Sequence, residues 1–132
     1  MKTQVTIRSK NFPPYDGEEE QINPGLWGKR LAEYLVEHLK PYRIETDEIV
    51  AEDWGWYIPI KNEGFRLATC CGHQMGDDDE FLCLTDPSTP VIRKLFKNID
   101  ATDELTRVVA AMDSVLSSDS AISDIEWTEV EK

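Results

Sequence analysis

Basic residues are scarce in this chain: 14 lysines and arginines stand against 26 aspartates and glutamates, a formal net charge of −12. Phosphate binding needs clusters of Lys and Arg, so this balance argues against direct nucleic-acid binding and against anionic membrane surfaces. Long apolar runs are also missing. None approaches the roughly 20 residues that span a bilayer, and the opening Met1-Lys2-Thr3-Gln4-Val5-Thr6 lacks the apolar centre of a signal peptide. Cysteine is sparse and odd in number, with Cys70, Cys71 and Cys83 alone. A chain of 132 residues is long enough to form a core without covalent staples. Reduced thiols in a cytoplasmic protein are therefore the expectation. Phosphate-cradling glycine loops, nucleophile elbows and dinucleotide fingerprints are absent too. That weighs against an enzyme, and no cofactor is expected.

What is present is a set of large aromatics and well-patterned apolar stretches. Glu52-Asp53-Trp54-Gly55-Trp56 places two indoles directly after two carboxylates, and Trp56, Ile58 and Ile60 follow in alternation. Trp is costly to expose, so this stretch marks a structural centre or a contact surface. Residues 3–8 alternate as a first strand. Asn11 to Gln21, with Pro13, Pro14, Gly17 and three successive glutamates, reads as a solvated loop. Asn23 then suits a helix cap, Pro24 the first helical position, and Ile22 a staple onto Trp27. Trp27, Leu31, Tyr34, Leu35, His38 and Leu39 share one helical face, and Pro41 ends the helix.

Further strands are expected at Tyr42–Thr46, running on toward Val50, and at Trp54–Lys61. The latter carries Trp54 on the same face as Trp56, Ile58 and Ile60. Asn62-Glu63-Gly64 turns it into Phe65–Cys71 as a hairpin, and Phe81-Leu82-Cys83-Leu84 suits a central strand. After Thr89-Pro90 the pattern predicts a helix with Val91, Ile92, Leu95 and Phe96 as its buried stripe. A longer helix follows Asp100 through Leu105, Val108, Val109, Met112, Val115 and Leu116. Ile122, Ile125, Trp127 and Val130 suggest a last strand. The order β-α-β-β-β-β-α-α-β, without repeat or linker, predicts a single α+β domain over residues 1–132, its largely antiparallel sheet covered by helices on one face.

Asn23-Pro24-Gly25, Gly28, Leu31, Glu52 to Trp56, Cys71-Gly72 and Ile125-Glu126-Trp127 together resemble a group of small bacterial single-domain hypothetical proteins. The resemblance spans nearly the whole chain. It implies a shared fold and a bacterial or phage source, and it brings no catalytic residues with it.

Four groups of residues are candidates for chemistry. Cys70, Cys71, His73 and Cys83 offer thiolate and imidazole ligands for zinc, or a Cys71 nucleophile beside His73. Adjacent cysteines on a strand diverge, however, and no C-x-x-C knuckle occurs. Glu52 and Asp53 are a possible acid–base pair, against the plainer reading of Asp53 as a turn residue. His38 suits the C-terminal dipole of its helix. Asp77-Asp78-Asp79-Glu80 lacks the spacing of a calcium loop and reads as a solvated charge run.

These observations favour a non-enzymatic acidic module that binds a basic protein, by aromatic anchors ringed with carboxylates. An inhibitor of a basic nuclease or nucleic-acid-binding protein, of the immunity-protein or phage-encoded type, fits that description. The carboxylates expected to make contact are Asp16, Glu18, Glu19 and Glu20 in one loop and Asp77, Asp78 and Asp79 in another. The alternative is a small enzyme or zinc domain using Cys71, His73 and Cys83.

Overall fold

The structure is a computed structural model that describes residues 1–73 and 76–130. Gln74 and Met75, within the expected acidic loop, and Glu131 and Lys132, in the expected acidic tail, lie outside the described residues. Six antiparallel strands form the main sheet in the order β2-β3-β4-β5-β1-β8. They are β1 (Gln4–Arg8), β2 (Val50–Glu52), β3 (Gly55–Ile60), β4 (Leu67–His73), β5 (Glu80–Asp86) and β8 (Ser123–Thr128). A separate two-stranded hairpin is made by β6 (Val91–Arg93) and β7 (Asn98–Asp100). The helices are α1 (Glu18–Gln21), α2 (Lys29–Leu39) and α3 (Thr102–Ser117). This is the expected α+β architecture, an antiparallel sheet with helices on one face.

Strand alternation decides which side chains meet the helices. One row across the sheet reads Trp56, Cys71, Cys83, Val5 and Trp127 by register, and another Phe81 and Ile7 beside His73. Val5, Ile7, Trp56, Ile58, Ile60 and Phe81 join Leu31, Leu35 and Leu39 of α2 and Leu105, Met112 and Leu116 of α3 in a single core. The alternate residues Thr6, Tyr57, Pro59, Leu82 and Leu84 stay partly or fully exposed on the other face. Gly55 is required where it stands. Its φ is +155°, and a Cβ there would meet the Cys71 carbonyl oxygen at 2.6 Å.

Three expectations need correction. Trp54 does not lie with Trp56 on the core face; it occupies the β2–β3 turn and is 41% exposed. Helix α2 begins at Lys29 rather than at Pro24, because Asn23 to Leu26 form a turn closed by Leu26 N–H on the Asn23 carbonyl. Residues 91–96 are not a helix. Val91 pairs with Asp100 and Arg93 with Asn98, so the backbone groups are satisfied across a hairpin, and Leu95 and Phe96 face solvent. In addition, Tyr42–Thr46 contributes only an isolated bridge from Thr46 to Ile60, after a 3-10 turn at Lys40–Tyr42.

Candidate functional site

Glu18 shows how the first loop is organised. The sequence placed it on the solvated surface with Glu19 and Glu20, but it is 1% exposed. Its carboxylate accepts hydrogen bonds from the backbone N–H groups of Tyr15 (2.9 Å), Gly28 (2.7 Å) and Lys29 (2.9 Å) and from the Trp56 indole (2.9 Å). Gly28 and Lys29 open α2, whose first N–H groups have no partner within the helix. A buried carboxylate there completes those bonds and lies at the positive end of the helix dipole. Glu18 is thus a structural anchor, unavailable to a partner.

The other six expected contact residues separate into two groups. Glu19 accepts from Gly25 N–H at 2.7 Å and lies with Glu20 around a shallow hollow beside Ile22, Asn23 and Pro24; Asp16 is exposed. Asp77, Asp78 and Asp79 line a different and larger feature, a cleft of about 630 Å³ at the end of the sheet where β1 and β5 meet the loops. Its apolar lining is Phe12, Pro13, Pro14 and Trp27, and Arg8, Ser9 and Lys10 complete its wall. The two acidic loops therefore do not form one continuous surface. Instead, prolines from the first loop face aspartates from the second.

The cleft is held rigid from below. Trp27 stacks on His73 with ring centroids 3.8 Å apart and planes 3° from parallel, and Phe12 meets Phe81 edge-on at 5.9 Å. His73 is buried. Its Nδ1 lies 2.9 Å from the Gly25 carbonyl and its Nε2 2.9 Å from the Asp77 carbonyl. His73 thereby ties the segment before α2 to the aspartate loop. From the other side Arg8 donates to Asp77 (3.1 Å), Asp79 (2.9 Å) and Glu80, with Asp124 at 3.6 Å. One guanidinium faces four carboxylates, so the negative charge here is ordered but not cancelled. Asp78 is exposed.

The residues named for other chemistry are placed as follows. Cys71 and Cys83 stand opposite each other on neighbouring strands, both buried in the core, while Cys70 lies on the opposite side of β4. Burial pushes the Cys70 and Cys83 thiols up to about 12, and the Cys71 thiol well above its ordinary value. None is therefore a thiolate near neutrality. The ring nitrogens of His73 face carbonyl oxygens and not these sulfurs. Among the described residues, no group of three or more His, Cys, Asp or Glu side chains is arranged to hold a metal ion. At Asp77–Glu80, Arg8 already occupies the cationic position. Glu52 and Asp53 are exposed at the β2–β3 turn, and His38 stacks on Tyr34 at 3.9 Å near the end of α2.

Phe12, Pro13, Pro14 and Arg8, which line the cleft, were not among the expected site residues. The run Phe-Pro-Pro inside an otherwise polar loop was the available signal, since two consecutive prolines hold a loop in a fixed extended shape. No helix among the described residues is long and apolar enough to cross a membrane. Comparison of the chain with protein-family models, curated proteins and solved structures finds no match.

Proposed function

We propose that this chain is a non-catalytic cytoplasmic binding module that captures a basic partner protein through the cleft between residues 9–14 and 77–79. The observation that carries this reading is the cleft itself, where Pro13 and Pro14, over the buried rings of Phe12 and Trp27, line one cavity with Asp77, Asp78 and Asp79, and where three aspartates outnumber Arg8 and Lys10. An apolar pocket bordered by carboxylates suits a segment that presents an apolar anchor flanked by Lys or Arg. Trp27 and Phe12 are held by stacking, and the Asp77 and Asp79 carboxylates by Arg8. Little side-chain freedom is therefore lost on binding.

A net charge of −12 adds long-range attraction for a basic protein and repulsion of nucleic acid. Inhibition of a basic nuclease or nucleic-acid-binding protein is the role we assign to that capture. The test is a pull-down from the native host with the wild-type chain and with Asp77→Lys/Asp78→Lys as baits. The reading expects basic proteins on the wild type, their loss on the variant, and reduced nuclease activity of the captured protein when the chain is bound. Equal recovery on both baits would refute the cleft as the site.

A further inference from the structure

The β6–β7 hairpin is the least covered apolar feature among the described residues. Its two strands are closed by Lys94 N–H on the Lys97 carbonyl at 2.8 Å, leaving Lys94-Leu95-Phe96-Lys97 as the tip. Leu95 is 88% exposed and Phe96 93%. Two adjacent large apolar residues in water are unusual for a free surface and mark a contact. Ile92 packs against the core and Ala101 N–H bonds the Pro90 carbonyl at 2.7 Å, so the base of the hairpin is anchored. Charge then distinguishes the tip from the rest of the molecule. Arg93, Lys94 and Lys97 fall within five positions of a chain that has only 14 basic residues.

The tip is thus an apolar pair flanked by cations, on a protein whose cleft of about 630 Å³ sets three aspartates against Arg8 and Lys10 around its apolar lining. The two features are at opposite ends of the sheet. Strand β5 starts at Glu80, bonded to Arg8 beside the cleft, and ends at Asp86 on the approach to the hairpin. Seven residues of strand separate them, about 20 Å at the usual rise. The hairpin base adjoins Met1 and Glu129, again at the end away from Arg8. Exposure of Leu95 and Phe96 shows that the tip does not fill its own cleft.

We propose that the Leu95–Phe96 tip of one chain docks into the Phe12–Trp27 cleft of a second copy, with Arg93, Lys94 and Lys97 facing Asp77, Asp78 and Asp79. This rests on the reading of the cleft as a receptor for a basic, apolar segment, and it names one such segment. The contact is head-to-tail, joining different surfaces of the two copies, so it builds rings or open chains rather than closing at a symmetric dimer. Self-docking would also hold the cleft filled until a basic partner displaces the tip.

Sedimentation velocity on the purified chain tests this directly. The wild type is expected to gain mass with concentration and to lose that gain as salt rises. Leu95→Ser/Phe96→Ser removes the tip, and Asp77→Lys/Asp78→Lys the acidic border; each alone is expected to stay monomeric. Mixed in equal amounts they are expected to form a one-to-one dimer and nothing larger, because one supplies only a cleft and the other only a tip. Leu95, Phe96, Asp77 and Asp78 are all exposed; Asp77 bonds Arg8, Asp78 has no ion pair among the described residues, and Asp78→Lys alone serves if the double variant does not fold. A monomeric wild type at every concentration, or association that survives loss of the tip, overturns the proposal. So does tip-dependent flotation of a monomeric chain with phosphatidylserine vesicles, which would make the occupant a lipid surface. A monomeric wild type that still captures basic host proteins through Asp77 and Asp78 would reject self-docking while leaving the reading of the cleft intact.

Discussion

Glu18 Oε2 accepts a 2.9 Å hydrogen bond from the indole Nε1 of Trp56, a residue 38 positions along the chain. The same oxygen accepts from Gly28 and Lys29. Through this one carboxylate the tryptophan strand β3, the start of α2 and the first loop are joined inside the core. The Glu-Asp-Trp-Gly-Trp stretch thus combines two environments. Trp56 is buried in the core, while Trp54 is left on a turn.

Truncating Glu18 to Ala strips the acceptor from four donors, three of them backbone groups. Leaving buried donors unpaired costs about 1–3 kcal/mol each, and more when the lost partner is charged. The expected loss is about 3 kcal/mol or greater by urea denaturation. A loss below about 1 kcal/mol would show that water replaces the carboxylate without penalty.

Leu35 is fully buried on α2 in the same core as Trp56, Ile58 and Ile60. Leu35→Ala is expected to cost about 2–5 kcal/mol through lost transfer energy and the cavity left behind. A change under about 1 kcal/mol in the same measurement would mean that the helix does not press on this sheet face.

Alkaline stability has a sign set by burial. Unfolded thiols ionise near pH ~8.5, whereas folded Cys70 and Cys83 are pushed up to about 12. Between those values the unfolded chain binds fewer protons. The stabilisation is therefore complete below the lower value and lost as pH rises toward the upper one. Tyr34, pushed up to about 12 by burial and by its bond to Asp119, adds loss in the same direction. On the acid side the Ala121 backbone N–H and the Tyr34 hydroxyl hold the Asp119 carboxyl below its ordinary value; its contribution is present above that value and lost as pH falls below it. Melting temperature against pH should therefore drop steeply on the alkaline limb, and Cys70→Ala/Cys83→Ala should flatten it. An alkaline limb unchanged in the double variant would contradict this account.

Zinc removal is expected to change nothing. The His73 ring nitrogens face carbonyl oxygens and the thiols of Cys71 and Cys83 are buried in the core. The melting temperature should be the same with and without a chelator. One zinc per chain by native mass spectrometry, lost together with stability on chelation, would show that Cys71, His73 and Cys83 rearrange into a metal site.

Much of the fold was readable because its signals are local. The apolar stripe of α3 and the alternation from Trp56 to Ile60 each identify an element and its buried face without reference to the rest of the chain. Residues 91–96 misled for a physical reason. Val91, Ile92, Leu95 and Phe96 have the spacing of a helical stripe, but burying that stripe requires a neighbour, and cross-strand pairing of Val91 with Asp100 satisfies the backbone instead. Glu18 could not be read at all from its neighbours, since its donors come from Tyr15, Gly28, Lys29 and Trp56. The cleft was half legible. Asp77 to Asp79 were expected to be contact residues, yet their meeting with Phe12, Pro13 and Trp27 depends on β1 pairing with β5.

The central claim is that carboxylates beside an apolar cleft capture a basic partner, and association kinetics with a protein recovered from the host test it most directly. Opposite charges attract over a screening length of about 10 Å at 0.1 M salt. Raising salt should therefore slow association far more than it speeds dissociation, and Asp77→Lys/Asp78→Lys should lower the association rate while the fold stays intact. Salt-independent rates, or recovery of acidic and neutral proteins only, would contradict the account.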